Sequence, residues 1–180
     1  EPLGLLAHDG FKVEPRNPFW GIHAVEVRGP AGKLDIHHAI RTLPKISFDY
    51  AMIWSRSQKF TVGTANFATL SDTDHLLTAA VGLAADVQTS HHNLRKIWDL
   101  YMMLRLLDAG TDWDAFMAER QAEGSLKLVL NMFMFCLLLL GAEEDCPRLN
   151  QTIAAHRRLL LITSERQAAA IFGRGRQHLA

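Results

Sequence analysis

The sequence has little sulfur chemistry to offer: of its 180 residues only Cys136 and Cys146 are cysteines, too few for a disulfide scaffold. Cys136 sits in an apolar run where a free thiol acts as a small hydrophobe, so both suit a reducing compartment. There is no excess of charge, with 19 Lys+Arg against 19 Asp+Glu, and hence no overall field to attract nucleic acid or an acidic membrane. No apolar run reaches the roughly 18 to 20 residues that a bilayer span needs. The longest, Leu126 to Leu140, is interrupted by Lys127 and Asn131 and reads as a buried core helix. The opening Glu1-Pro2-Leu3-Gly4-Leu5-Leu6 lacks the basic leader of a signal peptide. A cytoplasmic protein with neither membrane nor nucleic acid among its partners is the expectation.

Familiar site motifs are missing too. There is no Gly-x-x-x-x-Gly-Lys-Ser/Thr loop, no Gly-x-Gly-x-x-Gly, no Gly-x-Ser-x-Gly elbow and no Cys-x-x-Cys or His-Glu-x-x-His. Nine histidines include the adjacent pairs His37-His38 and His91-His92. Adjacent residues point to opposite faces of a strand, or diverge by about 100° on a helix, so neither pair offers two ligands to one zinc ion.

What is present has a clear order. Pro15 and Pro18 interrupt the first 18 residues. From Trp20 an alternating segment runs to the turn Gly29-Pro30-Ala31-Gly32, and Lys33 to Ile40 follows as a second strand. Its period of two sets Leu34, Ile36, His38 and Ile40 on one face and Asp35, His37 and Ala39 on the other. Residues 41 to 70 read as a connection with a short helix near Phe48 to Ser55. Ser71-Asp72-Thr73-Asp74 marks a helix start. Helices follow from Asn93 to Leu107, from a Thr111 or Asp112 cap to about Glu123, from a Ser125 cap to Gly141, and from about Leu149 to Phe172. Strands first and helices later predict an α+β fold, a β-hairpin or sheet followed by a bundle of about five helices. The organisation expected is an α/β region over 1–70 and a helical domain over 71–180. Within the helical part, Leu126, Val129, Leu130, Phe133, Leu137 and Leu138 form the central stripe, and Trp98 and Tyr101 are expected to pack inward.

Asp35 is the carboxylate of most interest because it interrupts an apolar strand just after a tight turn. A solvent-facing acid in an alternating strand is the bland account; binding of a divalent cation through oxygen is the functional one. In Leu94-Arg95-Lys96-Ile97-Trp98-Asp99-Leu100, Arg95 and Asp99 have i,i+4 spacing, which supports a surface ion pair. Alternatively Arg95 or Lys96 reaches a phosphate held near the hairpin.

Gly10-Phe11, Gly32-Lys33-Leu34-Asp35-Ile36-His37-His38, Leu70-Ser71-Asp72-Thr73-Asp74-His75-Leu76-Leu77, Leu94 to Leu100 and Asp112-Trp113-Asp114-Ala115-Phe116 come in an order that resembles the uncharacterised nucleotidyltransferase family. The resemblance covers about residues 5 to 142. It implies a nucleotidyltransferase-like α/β region ahead of the helices. It also implies a reaction in which an acceptor hydroxyl attacks the α-phosphate of a nucleoside triphosphate held with Mg²⁺ or Mn²⁺. Asp35 would be a catalytic and metal-binding carboxylate. Apart from the resemblance, the residues themselves offer Arg95 and Lys96 as phosphate contacts, with His37 and Asp99 in support. The family's Gly-Ser turn and acid pair come before the Gly-Phe position. The chain is therefore expected to be a carboxy-terminal part of such an enzyme. The family's histidine in the helix after the Leu-Ser-x-Asp start has no counterpart between Ala79 and Ala85.

The acceptor implied is a small molecule, sugar or peptide, and a homo-oligomer is compatible with all of this. The competing reading is a non-catalytic helical module that binds a ligand or partner. A third, an RNA-cleaving helical protein, needs an Arg followed on one helix by a His, and the helices here carry no such pair.

Overall fold

The computed structural model describes residues 12–13, 24–29, 32–37, 46, 48–89 and 93–176. The Pro15 to Pro18 stretch, residues 38–40 of the second expected strand, the His91-His92 pair and the final residues lie outside the described residues. The chain divides into two compact units, Glu1–Leu43 and Pro44–Ala180. The fold is mixed α+β and mostly helical, as the order of elements predicts.

In the first unit, β1 (Lys12–Val13), β2 (Ala24–Gly29) and β3 (Gly32–His37) form an antiparallel sheet in the order β1-β2-β3. The β2–β3 ladder closes on the pair Gly29 and Gly32, where the glycine-flanked turn was expected.

The second unit opens with α1 (Tyr50–Ser55), capped by the Asp49 carboxylate, which accepts from the Met52 N–H. A second hairpin follows, β4 (Gln58–Val62) and β5 (Ala65–Thr69), in a region read from the sequence as a connection. Its turn works because Gly63 takes φ +62°, a left-handed conformation that a side chain disfavours. Burial leaves almost no alternation here, since residues 58–68 are all exposed. Phe60 stacks on Phe67 at 5.3 Å and Thr61 donates to the Asn66 side chain at 2.8 Å.

Among the described residues six further α-helices follow: α2 (Asp72–Gln88), α3 (Leu94–Leu107), α4 (Trp113–Ala122), α5 (Leu126–Leu140), α6 (Pro147–Ala155) and α7 (Glu165–Arg176). Ser71 caps α2 and Asp112 caps α4 through their side chains, as read. Ser125 stands before α5 but makes no side-chain cap. The turn before it explains why. Gly124 at φ +76° lets the Ser125 N–H return to the Arg120 carbonyl, a Schellman closure of α4, and the buried hydroxyl is directed to Arg120 and Glu123.

Helix α5 is the centre of the core and packs against α2, α3, α4 and α7. Val129, Leu130, Phe133, Phe135, Cys136 and Leu137 are fully buried, each large apolar side chain contributing about 1.5–3 kcal/mol relative to exposure. Phe133 meets Trp113 and Phe116 in an aromatic cluster. Asn131, the polar interruption of this helix, is buried as well. Its amide donates to the Leu159 carbonyl and its oxygen accepts from Leu161 and Ile162.

That contact corrects the last expected helix. The span 149–172 is two helices, because residues 160–164 leave helical geometry where Asn131 holds their backbone. A new start follows, with the Ser164 hydroxyl accepting from the Gln167 N–H and the Gln167 side chain accepting from the Thr163 N–H. Pro147 opens α6, and the buried Asp108 carboxylate, from the end of α3, accepts from the Arg148 and Leu149 N–H groups. The Trp113 indole also donates to it.

Candidate functional site

Asp35 lies in the middle of β3, and its partner across the ladder is Glu26. Residues directly opposite in an antiparallel pair share a face. The β2–β3 pairs therefore sort into an apolar set, Val25 with Ile36 and Val27 with Leu34, and a second set, Ala24 with His37, Glu26 with Asp35 and Arg28 with Lys33. On β1, Lys12 pairs with Arg28 and Val13 with Val27. His37 thus falls in the same set as Asp35, two residues along. Each pairing of two charged residues in this sheet is like with like. Opposed like charges destabilise a ladder, so the register concentrates charge where pairing opposite signs would be more stable. Glu26 was not singled out from the sequence, although its place two residues before Arg28 in an alternating strand, and its distance from the turn, allowed the pairing to be counted. Two oxygen-donor carboxylates on adjacent strands fit the hard-cation chemistry of Mg²⁺ or Mn²⁺.

Arg95, Lys96 and Asp99 belong to α3 in the second unit. Arg95 is 86% exposed and lies 3.7 Å from Asp99, the i,i+4 ion pair expected of a solvated helix face. Lys96 takes a different partner, Asp86 of α2, at 2.7 Å. The inward packing expected of Trp98 does not occur. Tyr101 is buried and donates to Asp145, whereas Trp98 is half exposed and leans on the Tyr101 ring at 5.2 Å. The physical reason is the helix period: Ile97, Leu100, Tyr101 and Leu104 fill the stripe that meets the core, and Trp98 lies at its edge. The Asp145 hydrogen bond, followed by burial, raises the Tyr101 phenol above its ordinary pKa.

A polar network joins α1, α2 and α4. Arg56, just after α1, donates through Nε and Nη2 to both oxygens of the fully buried Asp74 at 3.2 and 2.6 Å, and through Nη1 to Glu119 at 3.0 Å. The hydrogen bond to Asp74 is the main cause of its raised pKa, against the opposing effect of burial. Glu119 also accepts from Arg120, whose fully buried guanidinium forks onto Glu123 at 2.7 and 2.9 Å and lies 4.7 Å from the Phe116 ring. The Arg120 Nη1 has no protein partner. The sequence carried a signal for this arginine: Trp113, Phe116, Met117 and Arg120 have the i, i+3, i+4, i+7 spacing of one buried stripe. The network clasps the start of the unit to its helices.

Burial pushes the Cys136 thiol up to about 12 and the Cys146 thiol up to about 11, so neither is a ready thiolate at neutral pH. Among the described residues no group of three or more His, Cys, Asp or Glu side chains could hold a metal ion, and no helix is long and apolar enough to cross a membrane.

An antiparallel sheet with an acid in mid-strand, followed by a helical unit, is the class of protein that fold and site define. The chain belongs to the uncharacterised nucleotidyltransferase family, whose model matches residues 8–141, a stretch containing Asp35, His37, Arg95, Lys96 and Asp99. No curated protein and no solved structure matches it.

Proposed function

We propose that the protein transfers a nucleotidyl group from a nucleoside triphosphate to a hydroxyl of a small-molecule, sugar or peptide acceptor. The observation that carries this reading is Asp35, set mid-strand opposite Glu26 inside the segment that matches the family. In the reaction the acceptor oxygen bonds to the α-phosphorus, the α–β anhydride bond breaks, pyrophosphate leaves and the hydroxyl proton passes to a base. Asp35 would hold Mg²⁺ or Mn²⁺, with Glu26 as a second oxygen donor across the ladder. Bound there, such an ion neutralises phosphate charge and polarises the reacting oxygen. His37, two residues along, would orient the carboxylate. Arg95 and Lys96 are the phosphate contacts in this reading, each exchanging its present carboxylate partner, Asp99 or Asp86, for phosphate. The site of action would be the cytoplasm.

The test is pyrophosphate release from nucleoside triphosphate by the protein. Asp35→Asn keeps the shape and removes the charge, and turnover should fall by at least about 10²-fold with the fold intact. Equal rates would remove Asp35 from the mechanism. They would favour the second reading, a non-catalytic ligand- or partner-binding module, which has its own support in the exposed aromatic side chains of Trp54, Phe60, Phe67 and Trp98.

A further inference from the structure

The three-stranded sheet carries a second feature besides its acids. Lys12 pairs with Arg28 and Arg28 pairs with Lys33, so three cationic residues stand in one row across all three strands. Strands lie about 4.8 Å apart, which gives the row a length of roughly 10 Å. Arg28, the central member, has a cationic partner on each side, an arrangement that direct cross-strand pairing penalises twice. One position along, the sheet is apolar at Val13, Val27 and Leu34; one further, it is acidic at Glu26 and Asp35. The charges are thus segregated by row.

A sheet face gains less from that segregation than from opposite charges placed directly across the ladder. Interleaving the same residues would give directly opposed opposite-charge pairs, whereas such pairs now lie only on the diagonals, Lys12 to Glu26, Arg28 to Asp35 and Lys33 to Glu26, and along the strands, Glu26 to Arg28 and Lys33 to Asp35. A ligand with a line of negative charge reverses the balance, because guanidinium and ammonium groups donate charge-assisted hydrogen bonds to phosphate oxygens. We propose that Lys12, Arg28 and Lys33 form a polyphosphate-binding row that takes the phosphate chain of the nucleotide. The proposal deepens the nucleotidyl-transfer reading and rests on it for the identity of the ligand. It makes the sheet an anchor of the phosphate chain.

Calorimetric titration of the full chain with inorganic tripolyphosphate, and separately with ATP, tests it. The Lys12→Gln, Arg28→Gln, Lys33→Gln variant should bind both ligands at least about tenfold more weakly. A control that removes the same charge elsewhere, Lys59→Gln, Lys127→Gln, Arg166→Gln, should stay within about twofold. Equal loss in the two variants would reduce the effect to net charge and overturn the row, as would no loss in either. Should the triple variant fail to fold by circular dichroism, Arg28→Gln alone should weaken binding about threefold or more, and unchanged binding would overturn the proposal. Weakening of tripolyphosphate but not ATP would assign the row to free inorganic polyphosphate and overturn the nucleotide assignment. The two readings fail separately. A row variant that binds normally, beside an inactive Asp35→Asn enzyme, sinks the row alone. A fully active Asp35→Asn enzyme, beside a row variant that has lost tripolyphosphate, sinks nucleotidyl transfer at Asp35 alone.

Discussion

The chain builds two antiparallel hairpins by opposite rules. In β4–β5 the cross-strand partners suit one another: Phe60 stacks on Phe67, Thr61 bonds Asn66, and Lys59 faces the neutral Ala68. In β2–β3 the charged partners repel, Glu26 against Asp35 and Arg28 against Lys33. A two-stranded hairpin is marginal on its own in water, so favourable pairs are what β4–β5 needs. The first sheet departs from that rule, and departures of this kind collect where a sequence is serving a ligand more than its own stability. Both functional proposals stand on that sheet.

The largest expected loss of stability lies in neither hairpin. Helix α5 anchors the unit to which β4–β5 belongs, and Leu130 and Phe133 are fully buried in it. Leu130→Ala or Phe133→Ala should cost about 2–5 kcal/mol in chemical denaturation. A loss under about 1 kcal/mol would contradict the central place of α5 in the core. Next comes Phe67→Ala. The ring is about half exposed, at 48%, so its stack with Phe60 matters more than its burial. An effect of about 0.5–1.5 kcal/mol follows, visible as faster amide exchange along β4 and β5. Unchanged exchange would mean that the pair does not hold the hairpin together.

These unequal magnitudes follow what was legible in the sequence. Helix α5 was readable to the residue because its apolar stripe is wide, Gly141 takes the left-handed conformation that stops it, and its only buried polar interruption is Asn131. The starts at Ser71 and Asp112 were readable from capping chemistry. Hairpin β4–β5 was not, since neither face is buried and a period of two arises only when one face is covered. The break after α6 was hidden for another reason: it depends on Asn131, about thirty positions away along the chain, and a local pattern carries no trace of such a partner. Arg120 differs, since its place in the buried stripe was legible and its partners, Glu119 and Glu123, are local. At the candidate site the alternation around Asp35 was legible, but the identity of its partner depended on register.

That register yields the smallest expected effect and the sharpest comparison between the hairpins. Glu26→Gln removes one member of an opposed acid pair and keeps its shape. With no divalent cation present, relief of the repulsion should stabilise the fold by about 0.2–1 kcal/mol. Asp35→Asn should do the same, and the double variant should gain less than the sum, because either change alone already ends the repulsion. In β4–β5, Thr61→Val breaks a favourable bond to Asn66 and should destabilise, so the two hairpins should respond with opposite sign. Urea denaturation in chelator at neutral pH measures all four variants. Adding Mg²⁺ or Mn²⁺ should then stabilise the wild type more than Glu26→Gln or Asp35→Asn, since each substitution deletes a donor oxygen that carries charge. A destabilised Glu26→Gln protein in chelator would show that Glu26 makes a favourable contact, and would remove the acid pair as a feature kept at the expense of stability.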